Sequence, residues 1–225
     1  MKIHRFFIDF QESSEIKIQD KEFINQIKNV LKLKPSERVV LIKNNFEFLF
    51  EIVISSKEFI QLKLISKEPK EETSSKIILY CSIIKKDNFE LLCQKVTECG
   101  VFKIVPIITE RTIKKDINFQ RIEKILKEAS EQSGRMSIPI LSSPISFEKA
   151  IKDAEENDIN LFFDFNGKED FQLKDKVSSV GLFIGPEGGF TEEENTLAKG
   201  FVKVKLKNNV LRAETAAIIA TYLYS

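Results

Sequence analysis

Apolar and polar residues alternate along most of the first 65 residues of the chain. The clearest stretch is 46–54, with phenylalanine or isoleucine at every second position, and residues 60–64 repeat the pattern. A period of two places successive side chains on opposite faces of a strand, so both stretches predict β-strands. Asn44-Asn45 precedes the first stretch and predicts a hairpin turn. A short amphipathic stretch at 23–31 interrupts this β pattern.

The pattern changes after residues 66–75, which are polar, contain Pro69 and predict a linker. Strands are then predicted at 79–84, 104–108, 138–141, 161–165, 181–184 and 202–206. Helices lie between them, with predicted start signals at Asp87 with Glu90, Asn118, Ser146 and Thr191 with Glu194, and a last helix at 213–224. This alternation predicts an α/β domain with a mostly parallel sheet over residues 71–225, preceded by a β domain over residues 1–70.

Composition and charge narrow the class of protein. Hydrophobic residues make up 42% and charged residues 31% of the 225 residues, as in soluble globular proteins. No apolar run is long enough for a membrane span, and the start of the chain does not have the pattern of a signal peptide, so a cytoplasmic location is expected. The first 70 residues carry 13 Lys and Arg against 10 Asp and Glu, a weak indication that this part faces RNA.

Histidine and cysteine usage limits the possible chemistry. His4 is the only histidine, so a histidine-based catalytic triad in the α/β region and a histidine metal cluster are both excluded. The three cysteines, Cys81, Cys93 and Cys99, have no paired metal spacing and are expected to be reduced thiols. No bound metal is expected.

A glycine-rich loop, residues 185–190, follows a predicted buried strand and precedes a predicted helix. Its sequence is Gly-Pro-Glu-Gly-Gly-Phe, which suits either a tight turn or close approach of the backbone to a ligand. Glu187 and the run 192–194 surround the start of the helix, and these charges would repel a phosphate group. A ligand with sulfonium and ammonium groups would not be repelled. No Gly-x-Gly-x-x-Gly fingerprint follows a strand, so a Rossmann-type site is not supported.

A second unusual segment, residues 208–217, leads from the last predicted strand into the last helix. Arg212 stands near the positive end of that helix, where the macrodipole disfavours a cation. A residue placed against its local preference indicates a function, although a surface ion pair with Glu214 is an alternative.

These two segments together resemble the RsmE-like family of 16S rRNA uridine-N3 methyltransferases, which belong to the SPOUT class. Three further stretches carry the same resemblance, and the whole covers nearly the full chain: 4–7, then 95–101 followed by 106–111, and 128–135 with Pro139. The sequence departs from the family at Lys207, where glycine is usual, and at Asn209, where arginine is usual. The stretch 25–32 also lacks the His-His pair that the family often has there.

The resemblance implies a fold, a cofactor and partners. The carboxyl-terminal region is expected to form a trefoil-knotted SPOUT methyltransferase domain, and the amino-terminal region a small PUA-like β-barrel that holds RNA. S-adenosylmethionine (SAM) is the expected cofactor, the small ribosomal subunit or its 16S rRNA the substrate, and a homodimer the expected assembly. The expected cofactor contacts are Phe163, Ile184, Gly185, Pro186, Glu187, Gly188, Gly189, Leu206, Val210, Leu211, Glu214, Thr215 and Ala216.

Arg212 is the first candidate to stabilise charge in the transition state, followed by Arg111 and Arg135. No general base is assigned, because several carboxylates qualify and the single histidine does not. The expected RNA contacts are Arg5, Lys28, Lys32 and Arg38. Two alternatives stay open: a SPOUT methyltransferase that acts on another RNA such as tRNA, and an rRNA-binding module without catalysis.

Overall fold

The computed structural model describes residues 3–70, 75–113, 116–169, 172–173, 177–206 and 209–225, with the backbone alone at 168 and 169. Contacts divide the chain into two compact units. The first is Met1–Glu72 together with Glu131–Ser137, and the second is Thr73–Ser130 together with Ile138–Ser225. Within the described ranges, no helix is both long and apolar enough to cross a membrane.

The first unit contains one mixed five-stranded sheet. Its elements are β1 (His4–Phe7), β2 (Glu15–Ile18), α1 (Lys21–Asn25), β3 (Arg38–Lys43), β4 (Phe46–Ser55) and β5 (Ile60–Pro69). The strand order is β1-β3-β4-β5-β2, with β1 parallel to β3 and the other pairs antiparallel. The sheet has β1 and β2 as its two edges and is not closed by hydrogen bonds, so the β-barrel that the resemblance implies is not confirmed.

The hairpin between β3 and β4 follows the predicted pattern. Asn44 and Asn45 both have positive φ, 50° and 61°, as a type I′ turn requires, so this turn is confirmed. Alternate residues of β4 are buried, as the period of two predicts: Phe48, Phe50 and Ile52 form the core of this unit with residues from β2, α1 and β5.

One prediction in the first unit is wrong in part. Residues 66–69 are not a linker but the end of β5, where Pro69 pairs with Phe46. The polar side chains there misled the prediction, since an exposed strand end tolerates charge and a terminal proline. Residues 71–74 of the predicted linker lie outside the described residues. The amphipathic stretch at 23–31 interrupts the strands, as predicted: α1 is followed by a π-helical turn at Gln26–Val30.

Two contacts with the strands β1 and β3 show how residues 131–137 belong to the first unit. The backbone N–H of Phe7 donates a 3.0 Å hydrogen bond to the Glu131 carboxylate. Met136 is buried against Val40 and Ile42 of β3. The segment 128–135, one of the stretches that carry the family resemblance, therefore ends in a different unit from the one in which it begins.

The second unit is a parallel sheet with helices on its faces. It contains β6 (Lys76–Ser82), α2 (Lys86–Glu98), β7 (Lys103–Ile108), α3 (Phe119–Ser133), β8 (Ile140–Leu141), β9 (Ile145–Ser146), α4 (Phe147–Asp153), β10 (Ile159–Glu169), β11 (Ser179–Ile184), α5 (Glu192–Leu197), β12 (Val202–Lys205) and α6 (Ala213–Tyr224). The order is β12-β10-β11-β6-β7-β8, with β9 also on β7, and every pair is parallel. The predicted α/β class with a parallel sheet is confirmed.

Two separate apolar clusters show how helices cover this sheet. One combines strand residues with α2, α3 and α6, including Leu92, Leu126 and Ala217. The other combines strand residues with α4 and the segment around α5, including Phe147 and Ala198. Consecutive residues of one strand belong to different clusters, as Leu182 and Phe183 of β11 do, because successive side chains in a strand point to opposite faces.

Most predicted helix starts are confirmed, and one is wrong. Thr191 and Glu194 form the complete capping box of α5, while the side chains of Asn118 and Ser146 accept hydrogen bonds at the starts of α3 and α4. The helix α2 instead begins at Lys86, without a side-chain cap. Glu90, predicted to close a capping box there, pairs with Arg121 of α3 at 3.2 Å.

Strand β10 is longer than predicted and contains a bulge. Phe163 and Lys168 both pair with Val204 of β12, so the four residues 164–167 leave the ladder between them. Gly167 makes this possible, because a Cβ atom at that position would overlap the backbone of Val204. The bulge displaces Asp164 and Phe165 from the ladder at the end of the strand.

We predict that Gly167→Ala lowers the free energy of unfolding by roughly 1–3 kcal/mol, since the added methyl group must displace backbone of β12. Gly200→Ala is the matched control, because nothing lies within 4 Å of the Cβ position at Gly200 and its φ is not in the left-handed region. We expect the control to change stability by less than about 0.5 kcal/mol. Urea unfolding of both variants measures the difference, and equal midpoints would contradict the close approach.

Candidate functional site

A pocket lies at the carboxyl ends of three adjacent strands, β10, β11 and β12. Its volume is about 740 Å³ when the open space at its mouth is counted. The lining residues come from three loops: Phe163, Asp164, Phe165, Ile184, Gly185, Pro186, Glu187, Gly189, Phe190, Val204, Lys205, Leu206, Asn209, Val210, Leu211, Ala213 and Ala216. Ligands of open α/β sheets bind at this edge.

The glycine loop is a turn fixed to the core behind it. The N–H of Gly189 donates a 2.9 Å hydrogen bond to the carbonyl of Pro186, and Gly189 has a φ of +68° that favours glycine. A Cβ atom on Gly185 would come within 3.1 Å of the Phe190 ring. That ring packs against Phe162 at 4.3 Å between centroids and against Phe147 at 5.4 Å. The loop is therefore held from below by aromatic rings.

Arg111, which follows β7, connects a second loop to the glycine loop. Its guanidinium donates to the carbonyl of Gly188 at 2.5 Å and, at 3.5 Å, to that of Phe190. A planar donor with several N–H groups can hold two carbonyls in this way. Arg111 thus orients the backbone of the glycine loop.

Glu194 makes a second connection between the same two loops. Its buried carboxylate accepts hydrogen bonds from the backbone N–H of Glu110 and from that of Thr191, both at 2.9 Å. A carboxylate that receives backbone N–H groups makes short, strong hydrogen bonds. The turn at 109–112 is closed by the Thr112 hydroxyl, which accepts from the N–H of Thr109 at 2.9 Å.

The third loop leads into α6, whose first residues carry the predicted catalytic arginine. Arg212 is the N-cap residue of α6 and is exposed, while its neighbours Leu211 and Ala213 line the pocket. Glu214 is buried, and its Oε2 atom has no hydrogen-bond partner among the described residues. Neither residue is joined to the other by an ion pair, so the alternative explanation of Arg212 as a partner of Glu214 is not supported by the described geometry.

Charge of both signs borders an otherwise apolar pocket. Asp164 and Glu187 contribute carboxylates, and Lys205 contributes an ammonium group. Most of the other lining residues are aliphatic, aromatic or glycine. Such a site suits a ligand that has a large apolar or aromatic part and both positive and negative groups. The described residues contain no group of three or more His, Cys, Asp and Glu side chains with the geometry of a metal site.

Two ionisable groups in β6 are buried and stay protonated at neutral pH. Burial raises the pKa of the Cys81 thiol to about 12, so this thiol stays protonated and is not a nucleophile at neutral pH. The pKa of Tyr80 is raised by burial and by the hydrogen bond that its hydroxyl donates to Asp153 at 2.7 Å. Both groups belong to the interior of the sheet.

The structure brings ten of the thirteen predicted cofactor contacts together in this pocket. The other three, Gly188, Glu214 and Thr215, do not line it. A Cβ atom on Gly188 would lie 3.2 Å from Cδ of Arg111, so this glycine leaves room for the arginine. Lys207, the expected departure from the family, lies outside the described residues.

Seven lining residues are not among the predicted cofactor contacts: Asp164, Phe165, Phe190, Val204, Lys205, Asn209 and Ala213. The first two were assigned to a regular strand, where they would pair with a neighbour. Asn166-Gly167 was the available signal, since this dipeptide marks turns. Asn209 had been noted only as a departure from the family.

The remaining predicted residues fall in the first unit. Arg5 pairs with Glu47 at 3.0 Å, and its guanidinium lies near Gly134. Lys28 is half-buried in the π-helical turn, Lys32 is exposed with a φ of +54°, and Arg38 is exposed at the start of β3. Arg135 is half-buried in this unit and is not among the residues of the pocket.

These features define a class: an α/β protein that binds a small molecule at the carboxyl edge of a parallel sheet. A model of the RNA methyltransferase domain family matches residues 70–225, which include every strand of the second unit. The chain belongs to this RNA methyltransferase family.

Curated relatives match over nearly the whole chain. The "Ribosomal RNA small subunit methyltransferase E" of Rickettsia conorii is 32% identical, with 98% of this chain and 94% of that protein covered. The protein of the same name from Mesomycoplasma hyopneumoniae is 29% identical, with 96% of each covered. Among solved structures, a ribosomal RNA small subunit methyltransferase E from Neisseria gonorrhoeae bound to S-adenosyl methionine is 26% identical. Its TM-score is 0.88, with 98% of this chain and 95% of that chain covered.

We predict that Arg111→Ala loosens the glycine loop. Loss of a hydrogen bond at an exposed arginine is worth about 1 kcal/mol, so amide hydrogen exchange across residues 185–190 should quicken by roughly fivefold. Arg121→Ala is the control, because Arg121 is also exposed and bonds Glu90 rather than this loop. Mass spectrometry of peptides covering 185–190 measures the effect. Exchange that stays at the wild-type rate would show that the loop keeps its shape without Arg111.

Proposed function

We propose that this chain is a SAM-dependent methyltransferase that methylates N3 of a uridine in 16S rRNA of the small ribosomal subunit. The observation that carries the proposal is the pocket of three loops at the carboxyl edge of the sheet, in a chain of the RNA methyltransferase family. A relative of similar fold has SAM bound, and relatives along the whole chain are named for the small-subunit RNA.

The residues of the pocket fit SAM in polarity and in charge. The apolar walls, with Ile184, Leu206 and Ala216, suit the adenosine part, and the backbone at Gly185 and Gly189 allows close approach. Asp164 and Glu187 suit the ammonium and sulfonium groups, and Lys205 suits the carboxylate. The buried Glu214 oxygen without a partner is an additional acceptor in the first turn of α6.

When bound, SAM supplies a methyl group on a positively charged sulfur, a good leaving group. In the proposed reaction a bond forms between N3 of uridine and the methyl carbon, the bond from sulfur to that carbon breaks, and the N3 proton is released. The pocket loops hold the two reactants at the distance and angle that displacement requires. Negative charge on the uracil carbonyl oxygens increases as the proton leaves.

Arg212 is the candidate that stabilises this charge. Its guanidinium is exposed beside the pocket, and no ion pair or side-chain cap within the described residues engages it. The N-terminus of α6 adds partial positive charge at the same place. Arg111 and Arg135 are weaker candidates, since Arg111 already holds two carbonyls and Arg135 is half-buried in the first unit.

We assign RNA binding to the first domain, residues 1–70, as a PUA-like module, and catalysis to residues 71–225. The exposed cations Lys32 and Arg38, with Lys28 and Arg5, are the proposed contacts to RNA phosphates. Lys32 has a positive φ directly after a π-helical turn, a strained conformation that is common at functional sites.

The second domain is proposed to contain the trefoil knot of the SPOUT class and to form a homodimer in the cytoplasm. Support for a dimer comes from apolar side chains that α2 and α6 leave exposed, Leu91, Tyr222 and Leu223. These two helices pack against each other, so the exposed residues belong to neighbouring elements of one face.

We expect purified protein and SAM to convert one uridine of unmethylated small ribosomal subunits to 3-methyluridine, detected by mass spectrometry of the digested rRNA.

Ala216→Leu should reduce SAM affinity at least about tenfold, because the larger side chain fills the pocket. Thr196→Leu adds similar bulk to the exposed surface of α5 and should bind SAM normally. Calorimetry measures both affinities. Wild-type protein that binds no SAM, or transfers no methyl group to these subunits, would refute the proposal.

Arg212→Ala should lower the single-turnover rate on small subunits by about 10²-fold, as loss of one preorganised charge contact does elsewhere. SAM affinity should change little, because Arg212 does not line the pocket. Arg212→Lys keeps the charge but not the planar donor set, and should recover only part of the rate. A rate unchanged in Arg212→Ala would remove this residue from the mechanism.

A further inference from the structure

Phe165 stands apart from the other phenylalanines of this chain. It is 58% exposed, and it is the only phenylalanine within the described ranges whose side chain is classed as exposed. Most of the others pack in the cores of the two units. An aromatic ring left in water gives up the free energy that burial would contribute.

The local reason for its position is the bulge of β10. Residues 164–167 leave the ladder with β12. Phe165 lies within this bulge and lines the pocket. In a regular strand the residue would pair with β12. Bulges beside functional sites commonly redirect one side chain, and here Gly167 is the residue that permits the redirection.

Within the described residues, no other aromatic ring and no cation packs against the ring of Phe165. Phe163, two residues earlier, contacts Tyr224 at 6.3 Å between ring centroids, whereas no ring or cation contact of Phe165 occurs in the described part of the chain. Val210, another apolar residue of the pocket, is also exposed, so the open end of the pocket carries an apolar surface.

We infer that the ring of Phe165 is the stacking surface for the pyrimidine that accepts the methyl group. The inference rests on the proposed function. Aromatic side chains bind bases in RNA that are turned out of their stack, and the contribution does not depend on hydrogen bonds. An exposed ring at the open end of the pocket is better placed for a base that arrives from outside than for the adenine of a cofactor held inside.

Stacking also gives the geometry that the reaction needs. A pyrimidine lying flat on Phe165 has its ring edge, with N3 between two carbonyl groups, free to face the interior of the pocket. Attack by N3 takes place in the plane of the base, so a contact with the face of the ring does not obstruct it. The same edge presents both carbonyl oxygens, on which negative charge increases, to a guanidinium such as that of Arg212.

The test compares Phe165→Ala, Phe165→Leu and Phe165→Tyr with wild type. Ile140→Ala is the control for loss of an exposed apolar side chain, because Ile140 is exposed on β8 and does not line the pocket. Three quantities are measured: calorimetric affinity for SAM, affinity for unmethylated small subunits in the presence of S-adenosylhomocysteine, which permits no turnover, and the single-turnover rate with SAM.

We expect Phe165→Ala to lower the product of subunit affinity and single-turnover rate by roughly tenfold or more, equivalent to about 1.4 kcal/mol. Phe165→Tyr should restore it, Phe165→Leu should restore less, and SAM affinity should stay within about twofold in all three variants. A parallel fall in SAM affinity would assign the ring to the cofactor adenine and overturn the inference. Variants equal to wild type would also overturn it, whereas an inactive wild-type protein would refute the proposed function instead.

Discussion

The parallel alignment of β10, β11 and β12 is the constraint on which the rest of the second unit depends. Parallel strands end at the same edge of a sheet, so the loops that follow them must meet there. The register fixes this relation residue by residue, with Phe162 beside Phe183 on one side and beside Lys203 on the other. Three segments that begin at Phe163, Ile184 and Val204 thereby form one pocket, which no single segment contains.

A pocket made of loops needs support that the sheet alone does not give. Here two sets of contacts support the glycine loop. The Phe190 ring packs on Phe162 and Phe147 beneath the glycine loop, and the Glu194 carboxylate joins the N–H groups of Glu110 and Thr191 at its side. Each of these partners is fixed by a strand or by the start of a helix, so the loop inherits the rigidity of regular structure.

Sequence patterns predicted the parts of this fold that depend on local physics. Hydrophobic periodicity identified the parallel sheet, and side-chain chemistry identified the caps at Asn118, Ser146 and Thr191. The errors occurred where the decisive contact is distant in sequence. Residues 66–69 are a strand because β4 offers hydrogen bonds to them, and the bulge at 164–167 exists because Val204 pairs twice with β10. A short stretch of sequence does not show either partner. Polar composition therefore predicted a linker at 66–69, and apparent alternation predicted a regular strand at 164–165.

The sequence predicted which loops form the candidate site. It did not predict the contacts within that site, because those contacts join residues that are distant in the sequence. The glycine loop and the segment before α6 were recognisable from unusual residue choices, and both line the pocket. Gly188 was expected to face a ligand, but it faces Arg111, a residue 77 positions earlier in the chain. A glycine reports that space is needed beside it, not what occupies that space.

His4 is the only histidine in the sequence. The proposed enzyme therefore depends mainly on the positions of the two reactants and on charged groups beside them. His4 is not among the residues that line the pocket, and a carboxylate at the pocket is a weak base for the N3 proton of uridine. Rate enhancement would then come from alignment of the two reactants and from cations near the uracil oxygens. Both effects fall steeply with small displacements of the loops. The buried Glu194, the Arg111 bridge and the Phe190 ring therefore bear on catalysis as directly as the residues that touch the reactants, because they determine where those residues are.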